Sequence, residues 1–411
     1  MKDDKQTIYI VSMGPGDERL RTKETEEILE QCDCYIGAKR LLASVLQKRM
    51  VPCLQSYRTE EIVSYIQAHP EHHTIGILCS GDMGYYSVAK NVIEKICTEF
   101  PQIEVIGVPG VSSIVYFMDR LGVAWDDTVL TSCHGCETSI IETISRNKKV
   151  CTLLGGDQQL AEICKQLVEI GYEDIKVTVG QRLSYPDESM EKRIVAECVS
   201  LGVDTLTVAL FENDNPVSAR LVPGMEDTEF IRGKTPMTKQ EIRTLVLSKM
   251  NLTEDAIIYD VGAGTGSVSV EAALLVPKGK VYAIEPKDEA LELIAQNKRK
   301  FHVSNLQIVP GLAPQVLEDL PAPTHVFVGG SAGHMVEIVE SVWKKKKDAV
   351  IVATAVTMES IAELLKVEDY AKTLRGEDYS MEMTQIAVTK TAVRGGYHML
   401  QAANPITIAR L

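Results

Sequence analysis

Short runs of β-branched and apolar residues alternate with amphipathic stretches along almost the whole 411-residue chain. That alternation admits few architectures, chiefly strands crossed over by helices into largely parallel sheets. In the first half, Ile8 to Val11, Ile75 to Leu78, Val105 to Val108 and Val129 to Thr131 read as strands. Three of them run directly into loops rich in Gly, Pro or Asp, with the sequences MGPGD, CSGDMG and GVPGVSS. Ligands of open α/β sheets sit beyond the carboxyl ends of strands, so these loops are where a site is to be sought. Leu206 to Phe211 reads as the last strand of this half, after which ENDNPVSARLVPGMEDTEFIRGKTPMTK carries no apolar period and marks a boundary near 213–224. From Lys239 the alternation restarts. It gives a helix to about Met250, a strand Ile257 to Val261, a helix from Ser267, a strand Lys280 to Glu285, another helix, and strands at Leu306 to Val309, His325 to Val328 and Ala349 to Ala355. The expected organisation is α/β throughout, with one domain over 1–212, a linker over 213–223 and a second domain over 224–411.

Charge narrows the partners. The chain carries a formal net charge of −14, so it gains little from the phosphate attraction that drives most nucleic-acid binding. A small anionic substrate is compatible with this, because a local group of Arg and Lys can reverse the sign of the field within one cleft. The start of the chain offers only the four apolar residues Ile8 to Val11, far short of a signal-peptide core, and no run approaches a membrane span. Ten scattered cysteines fit reduced thiols and a cytoplasmic location. No repeat at a fixed period is present, and Lys344 to Lys347 reads as a solvated helix end.

The most specific signal lies in Asp260-Val-Gly-Ala-Gly-Thr-Gly266, which follows an apolar strand and opens a helix. Glycines there let the backbone approach a ligand, while amide groups at the helix start face it. A dinucleotide fingerprint would place the third glycine one residue later, and a phosphate loop would need Lys followed by Ser or Thr. Glu285 ends the next strand 21 residues after Gly264, where a carboxylate can accept hydrogen bonds from both ribose hydroxyls of a nucleoside.

With its acidic strand end, GxGxG loop and acid after the second strand, this half resembles the Rossmann-like methyltransferases that bind S-adenosylmethionine. FIRGKTPMTKQEIR, YDVGAGTGSVSVE, VYAIEP, VPGLAPQVL, HVFVGGS and NPITI together resemble the decarboxylating precorrin methyltransferase domain of cobalamin biosynthesis. The resemblance implies cofactor contacts at Thr238, Gly262, Ala263, Gly264, Thr265, Gly266, Glu285, Gly311 and Ala313. Leu312 stands where many such enzymes carry an acid for the adenine amine, which leaves adenine recognition to backbone groups. The stretch Val328-Gly-Gly-Ser331 lacks the Asn/Asp-Pro-Pro-aromatic signature of enzymes that methylate amino nitrogens, which makes carbon the expected acceptor.

The first half carries Gly14-Pro-Gly-Asp17, Ser80-Gly-Asp-Met83 with Tyr85 and Tyr86, Val108-Pro-Gly-Val-Ser-Ser113, His134-Gly135 and Leu153-Leu154-Gly155. Any one of these could be a turn. In this order they resemble the tetrapyrrole methylase family, a two-lobed α/β fold with the cofactor in the cleft between lobes. The resemblance implies cofactor contacts at Pro15, Gly81, Asp82, Met83, Ser112, Ser113 and Leu154. The segment Ser184 to Ser189, SYPDES, narrows it to relatives that accompany the decarboxylating domain, although Gln181-Arg182 replaces their usual Glu-Asn. Ile36-Gly37-Ala38 lacks the acid that some relatives carry after the second strand, and no catalytic residue is assigned.

Other signals are set aside. Cys133-His-Gly-Cys136 has no second pair to complete a four-ligand zinc site, so no metal is expected. Cys32 and Cys34 read as alternating within a strand, one thiol per face, and His72-His73 as a solvated turn. The resemblance implies methylation of a precorrin or cobalt-precorrin at carbons 5 and 15 with loss of the ring C acetate carboxyl, no nucleic-acid or membrane partner, and a homo-oligomer. Substrate carboxylates would meet Arg19, Arg21, Lys39 or Arg40 at the first site, and Arg232, Lys234, Lys239 or Arg243 at the second. RNA or protein methylation, a nicotinamide-dependent oxidoreductase and a non-catalytic cofactor sensor remain as alternatives.

Overall fold

The computed structural model describes residues 6–85, 89–133, 139–217 and 222–411. Tyr86, His134-Gly135 and Cys136 lie outside them, as does part of the 213–223 linker. The chain divides into two compact units, one within 1–140, 147–165 and 173–214, the other within 141–146, 166–172 and 215–411.

The first unit holds two five-stranded sheets. One contains β1 (Thr7–Ser12), β2 (Cys34–Gly37), β3 (Cys53–Gln55), β4 (Thr74–Cys79) and β5 (Glu104–Val108) in the order β3-β2-β4-β1-β5, all parallel. The interior strand β1 is apolar toward both faces, as a covered parallel sheet requires. Ile8 and Ile10 pack with Ile36, Ile75 and Ile77, while Val11 packs with Tyr35, Leu78 and Val108 on the other face. Because Ser12 pairs with Cys79 and Val11 with Val108, the carboxyl ends of β1, β4 and β5 lie side by side. Their three loops are thereby gathered at one edge.

The second sheet departs from the parallel expectation. It contains β6 (Val129–Ser132), β7 (Lys149–Leu154), β8 (Lys176–Gln181), β9 (Ser189–Ile194) and β10 (Thr207–Glu212) in the order β6-β7-β10-β8-β9, and only β6 and β7 run parallel.

In the second unit, β11 (Ile257–Val261), β12 (Lys280–Glu285), β13 (Leu306–Pro310), β14 (His325–Val328), β15 (Val350–Ala355), β16 (Glu382–Ile386) and β19 (Ile406–Arg410) form one sheet, ordered β13-β12-β11-β14-β15-β19-β16. The first five are parallel, and β19 runs antiparallel to both β15 and β16. Between β16 and β19 the chain makes a separate antiparallel ribbon of β17 (Thr389–Arg394) and β18 (Tyr397–Ala402). Successive residues of β11 serve opposite faces: Ile258 joins a core with the helices Gln240–Met250 and Ser267–Leu275, and Tyr259 joins one with the helices Met335–Lys345 and Met358–Arg375.

Two local expectations are corrected. Cys32 is not in a strand but caps the helix Lys23–Gln31, whose last turn it closes by donating its amide to Ile28. Its thiol and that of Cys34 still face different cores, and burial pushes them up to about 12 and about 11. His72 is largely covered, its ring stacked 6.3 Å from Tyr65, while His73 is exposed. No helix among the described residues is long and apolar enough to cross a membrane.

Candidate functional site

The turn after β11 is built for close approach. The amides of Gly262 and Ala263 donate to the Ile284 carbonyl at 3.0 and 3.1 Å, which fastens the loop to β12. Gly262 and Gly264 take φ of +74° and +57°, a region side chains disfavour. A Cβ on Gly262 would sit 2.9 Å from the Gly330 backbone, and one on Gly264 2.9 Å from the Pro236 carbonyl. Glu285, only 6% exposed, accepts from the Gly264 amide at 2.9 Å and the Lys287 amide at 3.2 Å. A carboxylate has about four acceptor positions, so capacity remains for a ligand hydroxyl.

Behind the loop, Asp260 is buried and accepts from the Ser269 hydroxyl through one oxygen, while its other oxygen is buried without a partner. Burial raises its pKa to about 7 against the opposing pull of Ser269. The Thr265 hydroxyl is likewise buried without a partner. Unmet polar atoms and a glycine-rich turn fit a polar nucleoside. Gly311 reaches the same edge, its amide donating to the Glu285 carbonyl at 3.1 Å. The Ala313 side chain instead lies in the core with Val261 and Ile284, so only its backbone is on offer.

Arg243 is not a substrate-facing cation. It is fully buried, and its guanidinium donates to Glu271 at 2.6 Å, to Asp227 at 3.2 Å, and to the carbonyls of Thr238 and Met225. Glu271 accepts in turn from the amides of Gly224 and Met225. Arg21 is corrected on the same ground, since its buried side chain is held by Glu26 and Ser44. Arg19 is exposed and forks onto Asp17, Lys39 is exposed, and Lys239 stands 3.9 Å from Asp227.

In the first unit the gathered loops are cross-linked. Gly14 and Gly81 exchange backbone hydrogen bonds of 3.0 and 2.8 Å, and Asp82 shapes its own loop by accepting from the amides of Gly84 and Tyr85. Beside them is a cavity of about 190 Å³ lined by Pro15, Gly81, Asp82, Ser112, Ser113 and Leu154, six of the seven expected residues. Met83 does not line it, and its sulfur packs where a Cβ on Gly107 would be. Leu183 and Thr205 to Val208 also line the cavity and escape sequence reasoning, for they carry neither glycine nor a motif. Tyr185 comes from the SYPDES segment, whose Ser184 hydroxyl accepts from the Asp17 amide at 2.8 Å. Arg40 donates to the Tyr185 hydroxyl at 2.9 Å and to Ser80 at 2.6 Å. It also lines an adjoining cavity of about 180 Å³ with Gly37, Ala38, Ser56 and Tyr57. Away from both, His69, Glu71 and His72 bring their ligand atoms within 4.8 Å of one another.

Comparison with known proteins divides the chain where these two sites do. Residues 7–198 match the family of Tetrapyrrole (Corrin/Porphyrin) Methylases, and residues 229–411 match the Precorrin methyltransferase domain. The probable cobalt-precorrin-6B C(15)-methyltransferase (decarboxylating) of Pyrobaculum calidifontis is 41% identical over 189 residues, 45% of this chain and 94% of the relative. The precorrin-6Y C(5,15)-methyltransferase (decarboxylating) of Sinorhizobium sp is 28% identical over 335 residues, 80% of this chain and 78% of the relative. A solved precorrin-6y C5,15-methyltransferase of Geobacter metallireducens GS-15 shares 36% identity, covering 46% of this chain and 96% of the other with a TM-score of 0.42. The chain belongs to the precorrin methyltransferases, with a tetrapyrrole methylase domain ahead of its precorrin methyltransferase domain.

Proposed function

We propose that this chain methylates carbons 5 and 15 of a precorrin-6-type or cobalt-precorrin tetrapyrrole and removes the ring C acetate carboxyl as carbon dioxide, in cobalamin biosynthesis. Supporting this above all is the presence of two glycine-loop sites, one in each family-matched half. S-adenosylmethionine, when bound, supplies a methyl group already attached to a good leaving group. The protein's task is to hold the acceptor carbon in line with it and exclude water. A reduced tetrapyrrole has enamine-like carbons that attack without a strong base, which accounts for the lack of an obvious acid–base pair.

At the second site Glu285 accepts from the ribose, the 262–266 backbone lies along the cofactor, and Thr265, Thr238, Gly311 and the Ala313 backbone complete its surroundings. This domain, 224–411, performs methylation at carbon 15 and decarboxylation. At the first site Pro15, Gly81, Asp82, Ser112, Ser113 and Leu154 surround the cofactor, and 1–212 performs methylation at carbon 5. Overall acidity disfavours a nucleic-acid partner. Ten cysteines scattered along the chain fit reduced thiols in the cytoplasm. The β17–β18 ribbon leaves Val393, Tyr397, Met399 and Leu400 exposed, which suits a homo-oligomer.

Mass spectrometry of metal-free and cobalt-loaded precorrin-6 substrates, incubated with the protein and labelled cofactor, tests the assignment. The product should gain two methyl groups and lose one carbon dioxide. Methylation without decarboxylation under saturating cofactor would refute the role given to the second domain.

A further inference from the structure

The segment between the helix Gln240–Met250 and the start of the second domain runs irregularly from Ile231 to Thr238, yet it is fixed at both ends. At one end is Asn297, a fully buried amide on the helix Asp288–Lys300. It accepts from the Ile231 amide at 2.8 Å and donates to the Ile231 carbonyl at 3.0 Å and the Thr265 carbonyl at 2.9 Å. One side chain thus fastens the segment to the glycine loop. At the other end Arg243, itself held by Glu271, donates to the Thr238 carbonyl at 2.6 Å. Midway, the Pro236 carbonyl stands where a Cβ on Gly264 would have to go. The segment is a strap drawn over the glycine loop.

Its outer turn is Arg232-Gly233-Lys234, and all three residues are exposed. Among the described residues neither cation forms an ion pair or a side-chain hydrogen bond, whereas Arg243 is buried in its own network and Lys239 stands near Asp227. These two exposed cations flank Gly233, and although the Glu289 carboxylate lies near that glycine, it forms no ion pair with either, so both are available to an anionic ligand. Arg232 directly follows the anchored Ile231 and Lys234 precedes the anchored Thr238 by four residues, which keeps their backbone close to the glycine loop.

We propose that residues 231–238 form a substrate-reading strap, and that Arg232 and Lys234 bind peripheral carboxylates of a polycarboxylic macrocycle and so set its orientation over the second site. This rests on the reading that the second site acts on a tetrapyrrole. The guanidinium of Arg232 can take a carboxylate in a fork, and Lys234 acts as a point charge. Asn297 is the positioning residue that keeps the strap and the cofactor loop in register.

The test uses the full chain with R232A, K234A and the double variant, following carbon dioxide release from a precorrin-6 substrate, S-adenosylhomocysteine binding, and binding of uroporphyrin as an octacarboxylic probe. The double variant should raise the KM of decarboxylation and weaken uroporphyrin at least about tenfold, while S-adenosylhomocysteine affinity holds. Salt should raise KM less steeply in the double variant than in wild type, and R232K should recover part of the loss. Equal KM and equal uroporphyrin affinity in wild type and double variant overturn the strap, as does a parallel loss of S-adenosylhomocysteine affinity. If wild type releases no carbon dioxide but binds uroporphyrin in a manner that depends on Arg232 and Lys234, the strap stands and the assigned reaction falls.

Discussion

Asp260, next to last in β11, is buried, with one oxygen satisfied by Ser269 and the other unmet. Its pKa is raised to about 7 by burial, so the folded state holds a proton that the unfolded chain releases near pH 4. Between those values the native state binds more protons, and this group's contribution to stability falls as pH rises toward 7 and then levels off. Asp260→Asn removes the titration, and the melting temperature of the variant relative to wild type should climb from pH 5 to pH 8. A difference that stays flat with pH would contradict the burial-driven shift. Glu285→Ala deletes the proposed ribose acceptor and should weaken S-adenosylhomocysteine at the second site by about 1.5–3 kcal/mol, the scale of a hydrogen bond to a charged group. Gly264→Val should abolish binding there, because the side chain meets the Pro236 carbonyl and the backbone adopts φ of +57°. Calorimetry reads both.

Among the elements, the helix Gln240–Met250 depends on a fully buried charge pair. Arg243→Met leaves Glu271 buried and uncompensated, and chemical denaturation should show a loss of about 3–5 kcal/mol in the second domain. Adding Glu271→Gln should recover part of that loss, since the stranded charge is then gone. This pairing was illegible in sequence, for Glu271 lies 28 residues and Asp227 16 residues from Arg243, with no local pattern to announce them. The glycine turn was legible because only glycine serves where a second backbone comes within 3 Å. Parallel strands such as β1 and β11 were legible too, being β-branched on both faces. The closing strands were harder: TKTAVR and YHMLQA are exposed along most of their length, so no buried face writes an alternation. Leu183 and Thr205 enter the first cavity from loops flanking β8 and β10, and their chemistry does not mark them as ligand contacts.

For the whole molecule the clearest consequence is a stoichiometry. Calorimetry should find about two equivalents of S-adenosylhomocysteine per chain, and Gly264→Val should remove one and leave the other. A single equivalent that vanishes with Gly264→Val would reduce the first half to a structural role. The position of β19 also bears on how the molecule is made. Residues 406–410 slot between β15 and β16, so the sheet that carries the second site has an open gap until they exist. At 5–20 residues per second, a ribosome needs on the order of three to ten seconds to travel from the end of β15 to β19. Through that interval β15 offers a bare, β-branched edge to any passing strand. In the first half β10 likewise slots between β7 and β8, but it is made before any strand of the second domain begins. The nascent polypeptide therefore matures in sequence, the sheets of the first half closing on β10 before the sheet of the second half can close on β19.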